Sequence, residues 1–209
     1  MPRPVFDEQS HTYRHPKTGS ILPGVTSVLG EFVYIDALDL YVALDGHTIP
    51  GEIMRNAADL GTAVHKALQY ALTVGPDGFV YPDEIAPMVQ QIDAWRQDYQ
   101  PEILAVEMPL YSERYLFAGT LDLICRIGGG LCLVDAKTGQ GLLTGPQTAA
   151  YESLYREDTG YKGTMARYKL RLPKDGGKYQ FILQPDATND WNYFKARMFC
   201  SNYLKGFKK

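Results

Sequence analysis

Cysteine is scarce. The chain holds three, Cys125, Cys132 and Cys200, and no Cys-x-x-Cys pair. So odd and sparse a set excludes a disulfide framework and points to free thiols in a reducing compartment. Long apolar runs are missing too; none approaches the roughly 20 residues needed to span a bilayer. The opening MPRPVFDEQSHTY has no apolar signal-peptide segment, and its acids argue against a transit peptide, so a cytoplasmic location is expected. No Gly-x-x-x-x-Gly-Lys-Ser/Thr stretch occurs, which excludes a P-loop motor. Internal repeats and low-complexity tracts are also absent. What is present is an ordinary globular mixture, 45% hydrophobic and 22% charged over 209 residues. That length fits one domain with a sizeable core.

Net charge is only −3, but it is unevenly spread: residues 1–159 carry −11 and residues 160–209 carry +8. Such asymmetry fits either a polyanionic partner or a solvated basic face.

HTYRHPKTGSILPGVTSVL reads as a short hairpin turned at HPKTG, then an extended segment and a helix start. From Gly51, Ala57, Leu60, Val64, Leu68 and Ala71 recur at helical spacing and form one buried stripe. A second helix follows Pro82, with Ile85, Met88, Ile92, Trp95 and Tyr99 inward and Asp83 or Glu84 at its positive end. ILAVEMPLY alternates like a strand; YLFAGTLDLICRI and LCLVDAK are two more strands joined at Gly128–Gly130. TGPQTAAYESLYRE reads as a helix, TMARYKLRL and KYQFILQ as strands, and NDWNYFKARMFCSNYLKGF as a closing helix. The order predicts an α/β layered fold around a mixed sheet.

The central strands carry charges that a buried strand should not. If two of the three glycines form the turn, Arg126 pairs with Leu131, Ile124 with Leu133, and Asp122 with Asp135; a three-residue loop shifts that register. On strand alternation, Asp122 shares a face with Thr120 and Ile124, and Asp135 with Lys137. Two adjacent carboxylates repel, and burial raises the cost. A hard divalent cation resolves both problems, and a nearby lysine can steady developing phosphorane charge. The alternative is a solvated hairpin face with a salt bridge.

The chain carries in order GTAVH ending at His65, then Glu107, GTLD ending at Asp122, VDAKTG with Asp135 and Lys137, and QTAAY from Gln147 to Tyr151. This set resembles the PD-(D/E)XK nuclease superfamily, in particular its RecB-like exonuclease branch. The opening segment is similar to the start of phage and mitochondrial genome maintenance exonucleases. The resemblance implies a restriction-endonuclease-like core, a central mixed β-sheet flanked by helices. It implies one nuclease domain over residues 1–209, with the hairpin and helices in 1–100 and the core and C-terminal helix in 101–209. His65, Asp122, Asp135 and the carbonyl of Ala136 would hold Mg²⁺ or Mn²⁺. Lys137 would be the catalytic lysine, Glu107 would help hold or orient the metal site, and Gln147 and Tyr151 would position the scissile strand or support Lys137. Thr26 and Ser27 would contact a phosphate or merely cap a helix. Arg167, Lys169 and Arg171, with Lys178 on the neighbouring strand, would track a DNA backbone. Some relatives carry four cysteines for an iron–sulfur cluster; the three here are placed otherwise, so no cluster is expected. Together these features imply a metal-dependent DNA exonuclease. A structure-selective or restriction-like endonuclease and an inactive DNA-binding protein are the alternatives. The expected partners are DNA, single-stranded or at a duplex end, and a second copy or a recombination protein.

Overall fold

In a computed structural model, residues 2–7, 12–30, 32–35, 39–43, 48–75 and 80–206 are described. The N-terminal strands β1 (Val5–Asp7), β2 (Thr12–Arg14) and β3 (Ile21–Leu22) form a small antiparallel sheet. Its HPKTG turn closes where the Gly19 N–H donates to the His15 carbonyl at 2.9 Å. A five-residue helix α1 (Val25–Leu29) follows. Next comes a second antiparallel sheet, β4 (Phe32–Ile35), β5 (Leu40–Ala43) and β6 (Thr48–Pro50), in a stretch the periodicity leaves unassigned.

Helices α2 (Gly51–Thr73) and α3 (Ala86–Tyr99) come next, α3 entered through a 3₁₀ turn at Asp83–Ile85. On α2 the buried stripe is Leu60, Val64, Leu68 and Ala71; Ala57 is half-buried, because the helix also packs toward β5 and β6. On α3, Tyr99 is 37% exposed and lies at the rim against Phe181, ring centroids 4.7 Å apart.

The central sheet has the order β11-β10-β9-β8-β7. Its strands are β7 (Glu102–Tyr111), β8 (Ala118–Ile127), β9 (Gly130–Lys137), β10 (Ala166–Arg171) and β11 (Gln180–Leu183). Only β9 and β10 run parallel, and helix α4 (Thr144–Thr159) makes the crossover that a parallel pair requires. Helix α5 (Ala187–Gly206) closes the described chain. The fold is thus the α/β arrangement expected, a mixed sheet covered on both faces. On one face α2 and α3 pack Leu68, Met88, Ile92 and Trp95 against Leu123, Val134 and Leu170. On the other α1, α4 and α5 pack Val28, Leu154 and Phe194 against Leu121, Ile124 and Leu133. Among the described residues no helix is long and apolar enough to cross a membrane.

The β8–β9 hairpin turns on two residues. Gly128 and Gly129 both have positive φ, 58° and 81°, as the tight hairpin turn demands. The resulting register pairs Arg126 with Leu131 and Ile124 with Leu133, as the two-residue turn predicts.

At the other end of β8, Gly119 allows α4 to approach. A Cβ there would lie 2.7 Å from the Tyr151 ring and 2.9 Å from Val25. Gly119→Ala is therefore expected to lower stability by about 1–3 kcal/mol through overpacking, seen as a lower midpoint in urea unfolding.

Candidate active site

The regular pairing of β8 with β9 stops at Leu123–Val134. Beyond it, Asp122 Oδ2 accepts the Ala136 backbone N–H at 2.7 Å. A side chain thus takes the amide where the strands part. The expected Asp122–Asp135 step falls just past the last regular pair.

Residues two apart on a strand normally share a face. Here Val106 and Met108 pack into opposite clusters, and so do Leu121 and Leu123. Both strands therefore switch facing at one level, at Glu107 and Asp122. A bulge at Leu104 breaks the alternation of β7 once before, between Ile103 and Ala105. Glu107 has φ +48°, a left-handed backbone inside a strand. Such a conformation costs about 1–3 kcal/mol and collects at functional sites. One expectation changes accordingly: Ile124 packs beside Leu121, not on the face of Thr120.

The break turns two acids toward α2. His65 Nδ1 lies 3.3 Å from Glu107 Oε1 and 3.4 Å from Asp122 Oδ1. One donor atom from each of His65, Glu107 and Asp122 falls within 4.8 Å of the others. Asp122 raises the His65 imidazole to about 10, against burial. Burial pushes the Asp122 carboxyl up, but His65, Lys137 and the Ala136 amide together hold it below its usual value.

Asp135 is fully buried, and its Oδ1 accepts no hydrogen bond. Lys137 Nζ stands 2.8 Å from Oδ2 as its counter-ion. Burial, only partly opposed by Lys137 and reinforced by Asp122, raises the Asp135 carboxyl to about 6. Unsatisfied buried carboxylate oxygens are costly. An imidazole and two facing carboxylates, from His65, Glu107 and Asp122, are a donor set that suits a hard divalent cation; Asp135 lies outside that group.

Gln147 and Tyr151 are buried one helical turn apart, and Gln147 Nε2 donates to the Tyr151 hydroxyl at 3.2 Å. Burial, with Asp135 and Asp122 adding to it, pushes the Tyr151 hydroxyl well above its ordinary value. Gly141, at φ +55°, lies against the Lys137 stem; a Cβ there would come within 3.0 Å of Lys137 Cγ.

The basic residues divide. Arg167, Lys169 and Arg171 do share a face, since Ala166, Tyr168 and Leu170 pack on the other. But α4 and α5 cover that face at Arg167, which is 2% exposed. Its guanidinium donates to the Gly145 and Gln184 carbonyls, to Thr148 Oγ1 and to Asp190, and it pairs with Glu152. Arg167 is therefore an internal clamp between β10, α4 and α5, not part of a DNA-tracking surface. Lys169 Nζ donates to the Gln140 carbonyl at 2.9 Å, and Arg171 to Gln180 Oε1 at 3.1 Å. Lys178 is exposed but precedes β11, with its ammonium 5.9 Å from the Tyr179 ring centre. Thr26 and Ser27 are exposed on α1, and neither caps it: the N-cap residue is Gly24.

The sheet and this acid, histidine and lysine group define the class. Residues 79–200, more than half the chain, match the model of the PD-(D/E)XK nuclease superfamily, and the chain belongs to that superfamily. Its mixed-sheet α/β core accords with that membership. No curated protein matches it. Among solved structures it is similar to a candidate exonuclease from Eubacterium rectale, with 15% identity and a TM-score of 0.41. The match covers 69% of this chain and 62% of that one, so the chain spans under two thirds of that protein.

Breaking a buried ion pair by removing one partner costs about 3–5 kcal/mol. Arg167→Leu is expected to lose that much in thermal or urea unfolding, because it strands Asp190 and leaves the Gly145 and Gln184 carbonyls without their donor, while Glu152 keeps Arg156.

Proposed function

We propose that this chain is a divalent-metal-dependent DNA exonuclease of the RecB-like branch, using Mg²⁺ or Mn²⁺. In this reading residues 1–209 act as one nuclease unit, in a cytoplasm and in phage or bacterial DNA recombination or repair. The observation that carries it is the His65–Glu107–Asp122 group, with one donor atom of each within 4.8 Å of the others, and the fully buried Asp135 carrying the Lys137 ammonium at 2.8 Å. His65, Asp122, Asp135 and the Ala136 carbonyl would hold the cation, with Glu107 as a supporting carboxylate. When bound, the cation would supply Lewis-acid stabilisation of charge on the scissile phosphate.

The rest falls to the chain. Lys137, held 2.8 Å from Asp135, keeps an ammonium at the acid cluster, ready to orient the attacking water or donate to an anionic phosphoryl oxygen. Tyr151 and Gln147 present a protonated hydroxyl and an amide, neutral groups that approach a phosphodiester without repelling it. Glu107 and Asp122 fix the imidazole of His65 between them. Lys169, Arg171 and Lys178, and on the other side Thr26 and Ser27, would contact the strand further out. Any oligomer or recombination partner would add to this surface.

Lys137→Ala is expected to lower cleavage by roughly 10²–10³-fold, the scale of losing one preorganised charge-stabilising donor. Binding to DNA, measured in EDTA, should stay near wild type; near-normal turnover of this variant with saturating metal would remove the lysine from the mechanism. Digestion of single- and double-stranded DNA labelled at each end, with Mg²⁺, Mn²⁺ or EDTA, tests the exonuclease reading. An exonuclease releases label progressively from an end and spares a closed circular single strand. Cutting of that circle would establish an endonuclease instead.

A further inference from the structure

The N-terminal sheet brings one more polar group to this site. Tyr13, on β2, lies outside the residues that match the family model. Its ring is 9% exposed and packs with Leu22, Tyr111 and Ala118. Its hydroxyl lies 3.0 Å from Thr120 Oγ1. Thr120 precedes Asp122 by two residues on β8. Consecutive strand residues face opposite ways. Gly119 faces the Tyr151 ring, so Thr120 faces the other side, and the two tyrosines reach β8 from opposite sides. Glu107 and Asp122 both act on the Tyr13 hydroxyl and, with burial as the main cause, hold it protonated above its ordinary value.

The hydroxyl is not needed to anchor the hairpin. Glu113, in the β7–β8 loop, already receives His15 Nε2 at 3.1 Å, Lys17 Nζ at 3.1 Å and the Tyr111 hydroxyl at 2.9 Å. The Ala118 N–H donates to the Pro23 carbonyl at 3.0 Å, and Gly24 bridges Ala118 in parallel. The chain is fastened at these points without Tyr13 Oη. A phosphodiester approaching Glu107 and Asp122 meets carboxylates that repel it. A neutral O–H donor beside them offsets that repulsion without adding a charge.

Resting on the nuclease reading above, we propose that Tyr13 is a substrate-binding residue whose hydroxyl donates to one non-bridging oxygen of the phosphodiester held at the Asp122 acid cluster. Thr120 orients that hydroxyl.

Tyr13→Phe keeps the ring and removes only the oxygen. The variant is expected to melt within a few degrees of wild type, to bind Mn²⁺ equally in calorimetry, and to lose about 10-fold or more in kcat/KM on linear DNA. Phosphorothioate substrates give a readout that a merely structural role would not move. Wild type should be slowed by sulfur at one of the two non-bridging positions, because sulfur is a poor acceptor, and Tyr13→Phe should lose that particular discrimination. Glu113→Gln loosens the hairpin without touching the hydroxyl, and should retain the sulfur discrimination whatever its stability. If Tyr13→Phe turns over like wild type, or keeps the full sulfur effect, the proposal is overturned. If wild type itself cleaves no nucleic acid with metal present, the nuclease reading fails first.

Discussion

One hydrogen bond organises the centre of this molecule: the Ala136 amide donating to the Asp122 carboxylate at 2.7 Å. Where two antiparallel strands separate, their facing amides lose partners, and a buried unpaired N–H costs as much as a lost hydrogen bond. Here a side chain from one strand satisfies the backbone of the other. The strands can then part without leaving that amide orphaned. Asp122 Oδ1 is left to face His65, and the buried Asp135 has Lys137 as its counter-charge. The opening, the acids and the lysine thus follow from one local failure of strand pairing.

The same level of the sheet carries the backbone strain. Glu107 pays with a left-handed conformation, and both β7 and β8 reverse their facing there. An ideal strand would have sent one of these acids into a hydrophobic cluster. The distortion turns both toward α2, where an imidazole offsets their charge. Short stretches of sequence acquire a physical meaning in this arrangement. In AGTLD, Ala118 receives the N-terminal segment, Gly119 makes room for Tyr151, Thr120 meets Tyr13, and Asp122 holds the parting strands.

Much of this was legible in the residues. The helical stripes of α2 and α3, the Gly128–Gly129 turn and the register it sets, and the shared face of Gln147 and Tyr151 follow from periodicity and turn chemistry. The small β4–β6 sheet was not, because its strands are short and their pairing is set by neighbours rather than by a strong pattern. Nor was the break at Glu107 and Asp122. Strict period-2 reasoning has no means of seeing a positive φ at a non-glycine residue. Glu107 therefore reads as an ordinary strand residue, although the structure brings it as close to His65 as Asp122 is. The Tyr13–Thr120 contact is illegible for a different reason: its partners lie 107 residues apart, and nothing local reports so distant a contact.

Arg167 shows why formal charge overstates a binding surface. Residues 160–209 carry a net +8, which read alone suggests a broad polyanion site. Yet Arg167 is buried among carbonyls and two carboxylates, and Arg197 donates to the Gly30 carbonyl. The Arg167 guanidinium releases no counterions when a phosphate arrives, because two carboxylates already pair with it within the fold. Lys162, Lys174 and Lys178 remain exposed in the loops flanking β10 and β11. Among the described residues, any electrostatic attraction of a polyanion would therefore rest on fewer cations than the count implies, and the exposed ones lie at the ends of the strands rather than along the covered face. Arg167 instead holds α4 in place, and with it Gln147 and Tyr151. In this fold the same charge type serves the architecture when buried and the partner when exposed, and only burial separates the two.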